Sequence, residues 1–183
     1  MSITLLSDQP YETWELDLSK MSHYSDILKA MKYIGAVDYV YTFVYNNEVI
    51  KHGLSTPSDP TADPGERIYR QAGNLDGWNT KLHGSSGKDM LDITSDYFNQ
   101  TGHWLNRKGM KIIVRNQTGL PSPNVSDSKW HVKQLERKLI KEHVEQLGRL
   151  PIGNIKEEAY IDDKTFVSTD VWNNLFQDNN NAA

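Results

Sequence analysis

Cysteine is absent from all 183 residues. That excludes a disulfide, a thiolate nucleophile and a cysteine-ligated zinc site. No apolar run approaches the roughly eighteen residues that a membrane span needs. The opening Met1-Ser2-Ile3-Thr4-Leu5-Leu6-Ser7-Asp8 has neither the basic nor the apolar region of a signal peptide, so a cytoplasmic location is expected. The histidines show no His-x-x-x-His or other tight metal spacing. Gly84-Ser85-Ser86-Gly87-Lys88 lacks the first half of a phosphate-binding loop and reads as an ordinary turn, which leaves no motif for an organic cofactor. What is present is enough for a core. Apolar residues make up 37% of the chain and aromatics 10%, a folded rather than a disordered composition. The length suits a single domain over 1–183.

The net charge of −4 is unevenly spread. Residues 1–103 carry 8 basic and 14 acidic groups, residues 104–149 carry 10 and 4, and residues 150–183 carry 2 and 6. One basic segment therefore lies between two acidic ones, and a local positive surface is what a nucleic-acid binder needs. A solvated helix of mixed charge has the same composition.

Periodicity divides the chain into elements. Tyr24, Ile27, Leu28, Met31 and Ile34 recur at helical spacing before Gly35. Residues 39–53 read as two β runs broken by Asn46-Asn47. Pro57, Pro60 and Pro64 make 54–65 a loop, and residues 66–72 form a helix that places Arg67, Arg70 and Gln71 on one face. A loop over 73–87 leads to a helix over 88–98, a strand over 110–115 and a loop over 119–128. The longest helix runs from Lys129 to about Leu147, capped by Ser128, with Val132, Leu135, Leu139, Ile140, Val144 and Leu147 as its buried stripe. The fold class is thus α+β: a small antiparallel sheet, the hairpin plus a third strand, flanked by helices. Residues 1–37 form an N-terminal helical extension, 38–154 the core, and 155–183 an acidic C-terminal extension.

Two hairpin registers are open. A three-residue loop with Asn47 at positive φ sets Tyr41 opposite Lys51, whereas a two-residue loop pairs Tyr41 with His52. In the first, a phenol and an ammonium share one face, and the cation favours phenolate. Phosphodiester hydrolysis needs a proton acceptor for water, positive charge on the phosphate and support for the leaving oxygen. Tyr41 and Lys51 supply the first, the planar fork of Arg67 suits the second, and Glu136 with waters suits a hard octahedral ion. Glu136 interrupts the apolar stripe of its helix, one turn after Val132 and one turn before Ile140, where an acid can turn inward. Each has a plain structural alternative: a sheet aromatic, an edge-strand lysine, solvated helix faces.

Taken in order, these blocks resemble the GIY-YIG nuclease family. Tyr39-Val40-Tyr41 stands where that family has GIY, and Lys51-His52-Gly53 stands where it has YIG. Arg67 resembles the family's catalytic arginine, Leu135-Glu136-Arg137-Lys138 its glutamate helix, and Asn154 an asparagine near the end of its core. Lys51 in place of the second tyrosine is similar to the small restriction-endonuclease branch. The family's tyrosine or histidine after the arginine is replaced by Gln71, with Tyr69 or Arg70 as alternatives, and Arg70 is the fallback for Arg67.

The resemblance implies a restriction-type or phage-type DNA endonuclease with one Mg²⁺ or Mn²⁺ per site, held by Glu136. Tyr41, Lys51, Arg67 and Glu136 would be catalytic. Arg70, Lys108, Lys111, Arg115, Lys129 and Lys133 would contact double-stranded DNA. A homodimer is compatible with a double-strand cut. The alternative is a non-catalytic module that keeps the scaffold to bind nucleic acid or protein.

Overall fold

The computed structural model describes residues 1–59, 61–73, 75, 90–124 and 126–154. They build one five-stranded antiparallel sheet: β1 (Ile3–Ser7), β2 (Thr13–Asp17), β3 (Tyr39–Tyr45), β4 (Glu48–Ser55) and β5 (Met110–Asn116), in the order β1-β2-β5-β3-β4. Four α-helices accompany them: α1 (Asp26–Ile34), α2 (Glu66–Ala72), α3 (Met90–Thr101) and α4 (Trp130–Leu147). The α+β class and the hairpin-plus-third-strand core agree with the periodicity. The expected 73–87 loop lies almost entirely outside the described residues, as does the acidic extension beyond Asn154.

The N-terminal extension is not simply helical. Before α1 it contributes β1 and β2, and β2 runs along β5 from Thr13↔Arg115 to Asp17↔Lys111. Alternation in Thr13-Trp14-Glu15-Leu16-Asp17 is short and its partner lies far along the chain, so periodicity passes over it.

Strand alternation separates two cores. Tyr39, Tyr41, Phe43 and Tyr45 point to one face and pack with α1, α2 and α3 residues such as Met31, Ile68 and Ile93. Val40 points to the other, where it meets Val132 and Leu135 of α4, with Leu54, Leu139 and Tyr11 alongside. Leu147, expected in the stripe, is exposed, and Ser128 does not cap α4. Instead the Asp127 carboxylate accepts from the Lys129 backbone N–H at 2.9 Å.

Candidate active site

The hairpin takes neither expected register. Its loop has two residues, with Asn46 at φ 46° and Asn47 at φ 67°, the double positive φ that asparagine tolerates in a tight turn. A bulge then inserts one residue into β4: Val44 faces Val49 but Phe43 faces Lys51. The extra residue moves the rest of the ladder by one, so Tyr41 lies opposite Gly53. Lys51 returns to the face of Tyr41, but on the diagonal, roughly 7–8 Å away.

Gly53 is what makes room for the phenol. A Cβ there would sit 2.3 Å from both Cζ and Oη of Tyr41, so the ring end lies flat across the glycine backbone. Tyr41 is buried, and from α2 the Gln71 amide Nε2 donates to its hydroxyl at 2.8 Å. Arg67, one turn earlier on the same helix face, also hydrogen-bonds the phenol while itself remaining exposed. The cation touching Tyr41 is therefore Arg67 and not Lys51. Burial raises the phenol pKa; Arg67 and Gln71 oppose that rise, and the charge of Glu136 adds to it.

Of Gln71, Tyr69 and Arg70, the three residues weighed beside Arg67, Gln71 is the one that donates to the phenol. Tyr69 stacks on Tyr24 with ring centroids 4.7 Å apart, and Arg70 is tied to Glu66. The oxygen of Gln71, Oε1, is buried with no hydrogen-bond partner among the described residues.

Glu136 arrives from α4 across the edge strand. Desolvation pushes its carboxyl up to about 7, against the lowering charges of Arg67, Lys51 and Arg137. Burial thus outweighs the three nearby cations and leaves the carboxyl poised to exchange its proton near neutral pH, a perturbation typical of functional sites. It is also a lone acid: no group of three or more His, Cys, Asp or Glu side chains suited to a metal occurs among the described residues. One carboxylate, with water and phosphate oxygens completing the shell, fits Mg²⁺ or Mn²⁺ and does not fit zinc.

Behind the site, Asn154 clasps the edge of β4. Its Oδ1 accepts from the His52 N–H at 2.9 Å and its Nδ2 donates to the His52 carbonyl at 3.0 Å, while Gly153 N–H donates to the Ile50 carbonyl at 2.8 Å. The outward backbone groups around Lys51 are thereby paired, and the edge is closed to other strands. On the far face, the Arg115 Nη1 donates to Thr42 Oγ1 at 2.7 Å, which leaves the hydroxyl proton for His52 Nδ1 at 2.8 Å. Burial and the Arg115 charge hold the His52 imidazole down to about 3.

The expected DNA contacts are scattered. Arg115 belongs to that internal chain rather than to a surface. Arg70 pairs with Glu66, Lys111 with Glu15 at 3.3 Å, Lys129 with Asp38 and Lys133 with Asp127 at 2.7 Å. Lys108 is exposed and makes no ion pair among the described residues. Gly53 and the Thr42–His52 pair were given no site role from sequence, although Gly53 ends the Lys51-His52-Gly53 block; Gln71 was noted only for its place four residues after Arg67 on one helix face.

Protein-family models, curated proteins and solved structures were compared with the chain, and none of them matches. No helix among the described residues is long and apolar enough to cross a membrane.

Proposed function

We propose that the protein is a metal-dependent DNA endonuclease of GIY-YIG type, of the restriction or phage kind, acting in the cytoplasm on double-stranded DNA. One observation carries this: Tyr41, Lys51, Arg67, Gln71 and Glu136, from two strands and two helices, meet at a single spot. Stability does not require it. A buried phenol, an exposed arginine and a desolvated acid ringed by cations together raise cost rather than lower it.

In the proposed mechanism Arg67 bridges solvent and phenol, placing a scissile phosphate oxygen next to Tyr41. Tyr41, once its own proton has passed to solvent, takes the proton of the attacking water as phenolate, and Gln71 and Arg67 steady the oxygen that accepts it. Lys51 sits beside Glu136 and adds positive charge for the phosphate instead of acting on the phenol. Glu136 would hold Mg²⁺ or Mn²⁺, which supplies Lewis-acid stabilisation at the departing oxygen. A homodimer would pair two such sites for a double-strand cut; sequencing the ends of cut plasmid separates that from nicking.

The test is plasmid cleavage with Mg²⁺. Glu136→Ala and Tyr41→Phe should each lose at least about a hundredfold, the usual scale for a positioned proton acceptor or charge stabiliser. Full activity in both would remove the site assignment. Above about pH 7, where Glu136 is largely ionised, the wild-type rate should still climb about tenfold per pH unit up to the phenol's raised pKa, and residual Tyr41→Phe activity should level off.

A further inference from the structure

The hairpin tip borders a cavity of about 450 Å³ lined by Tyr45, Asn46, Tyr97, His103, Trp104 and Asn106. That is within the usual range of ligand pockets, roughly 300–1,000 Å³. Trp104 is 55% exposed and Phe98 38%, yet the two rings are stacked at 4.3 Å and 16°. A tryptophan braced by a phenylalanine, and still open to solvent, is a stacking platform. Tyr97 meets Tyr45 edge-on at 5.7 Å.

The polar rim is ordered. Asn106 Nδ2 donates to the Tyr45 hydroxyl at 3.0 Å, while its Oδ1 accepts from the backbone of Lys108 and Gly109. The Asn46 backbone N–H donates to the Gly109 carbonyl at 3.1 Å. The Asn46 amide and His103 imidazole make no side-chain hydrogen bond among the described residues, so both remain able to read a polar edge. Asn46 also lines a neighbouring groove with Lys108 and Lys111. Lys108 is exposed and makes no ion pair among the described residues.

We propose that this pocket holds one unpaired nucleobase of the DNA, stacked on Trp104 and bonded at its edge by Asn46 or His103, with Lys108 on the adjoining phosphate. The proposal rests on DNA being the substrate. Tyr45 lies four residues along β3 from Tyr41 on the same face, about 13 Å away. A base seated there would be read a few nucleotides from the bond being cut.

Binding can be measured without cleavage, by fluorescence anisotropy in EDTA. The probe is a labelled single-stranded oligonucleotide of about a dozen nucleotides, enough for one stacking site and its flanks. Trp104→Ala should weaken binding about tenfold and Trp104→Phe much less, because one stacked base contributes on that scale. Lys108→Ala should reduce the salt slope by about one. Trp104→Ala binding as tightly as wild type overturns the pocket, as does a wild type that binds no oligonucleotide; the second outcome leaves the aromatic cluster to a protein partner. Plasmid cleavage separates the two ideas. Cutting with Trp104-independent binding refutes the pocket alone, whereas Trp104-dependent binding by a protein that never cuts refutes the nuclease alone.

Discussion

Gly53 cannot gain a side chain while Tyr41 keeps its place. The phenol ring end occupies the space where any other residue would have a Cβ, and the buried ring has no room to retreat. Gly53→Ala should therefore displace the hydroxyl from Gln71 and Arg67, costing about 1–3 kcal/mol of stability, the usual scale of overpacking. Plasmid cleavage should fall at least tenfold, because displacement of about an ångström is expensive in a positioned site; thermal melting and a cleavage assay check the two parts. His52 makes a separate statement about pH. Its folded pKa, about 3, is below the ordinary 6.5. The unfolded chain consequently binds the extra proton between those values, and stability falls as pH drops from 6.5 towards 3, by at most about 1.4 kcal/mol per pH unit. His52→Gln should flatten that part of the curve in urea titrations at pH 7 and pH 5. Residues of demanding type were legible as candidates, and Tyr41, Arg67 and Glu136 stand in one cluster. The contacts of Gln71 and Gly53 with the phenol were not legible, since a glutamine in a helix and a glycine in a strand have many ordinary reasons to be there.

At the scale of elements, alternation in 39–53 was enough to show a hairpin, and the two asparagines to show its turn. The bulge was not legible. It depends on Ile50 being drawn into the main core with Tyr41 and Phe43, a tertiary preference that local pattern does not contain. The same limit explains Ser128: the N-cap position falls on Lys129, whose backbone N–H is held by the Asp127 carboxylate. Asn154 illustrates long-range closure, since its amide satisfies both backbone groups of His52 from 102 residues away. Asn154→Ala would leave an N–H and a C=O of the edge strand unpaired, at about 1–3 kcal/mol. Amide exchange at His52 should accelerate while β2 and β5 stay protected, a pattern that global destabilisation would not produce.

Over the whole molecule, basic charge is concentrated in 104–149, but much of it is already engaged. Lys129 holds Asp38, a nearly buried carboxylate, and Lys133 and Lys111 hold other acids. Lys129→Ala should act mainly on stability, by about 1–3 kcal/mol after allowing for its half-exposed side chain, and little on DNA affinity. Parallel melting and anisotropy measurements distinguish those effects; a large affinity loss with an unchanged melt would return Lys129 to the DNA surface. Composition disclosed the charge, and only the fold disclosed its partners.

Strand order has a temporal side. β5 is central, between β2 and β3, yet it follows β2 by about a hundred residues. On a ribosome adding about 5–20 residues per second, β2 waits some 5–20 seconds for its neighbour. Meanwhile Trp14 and Leu16 have only their β1 partners, Leu5 and Ile3. The hairpin that carries Tyr41 can form early from local contacts, but α4 and Asn154 emerge later still, so the cluster of Tyr41 and Glu136 is completed only late in synthesis.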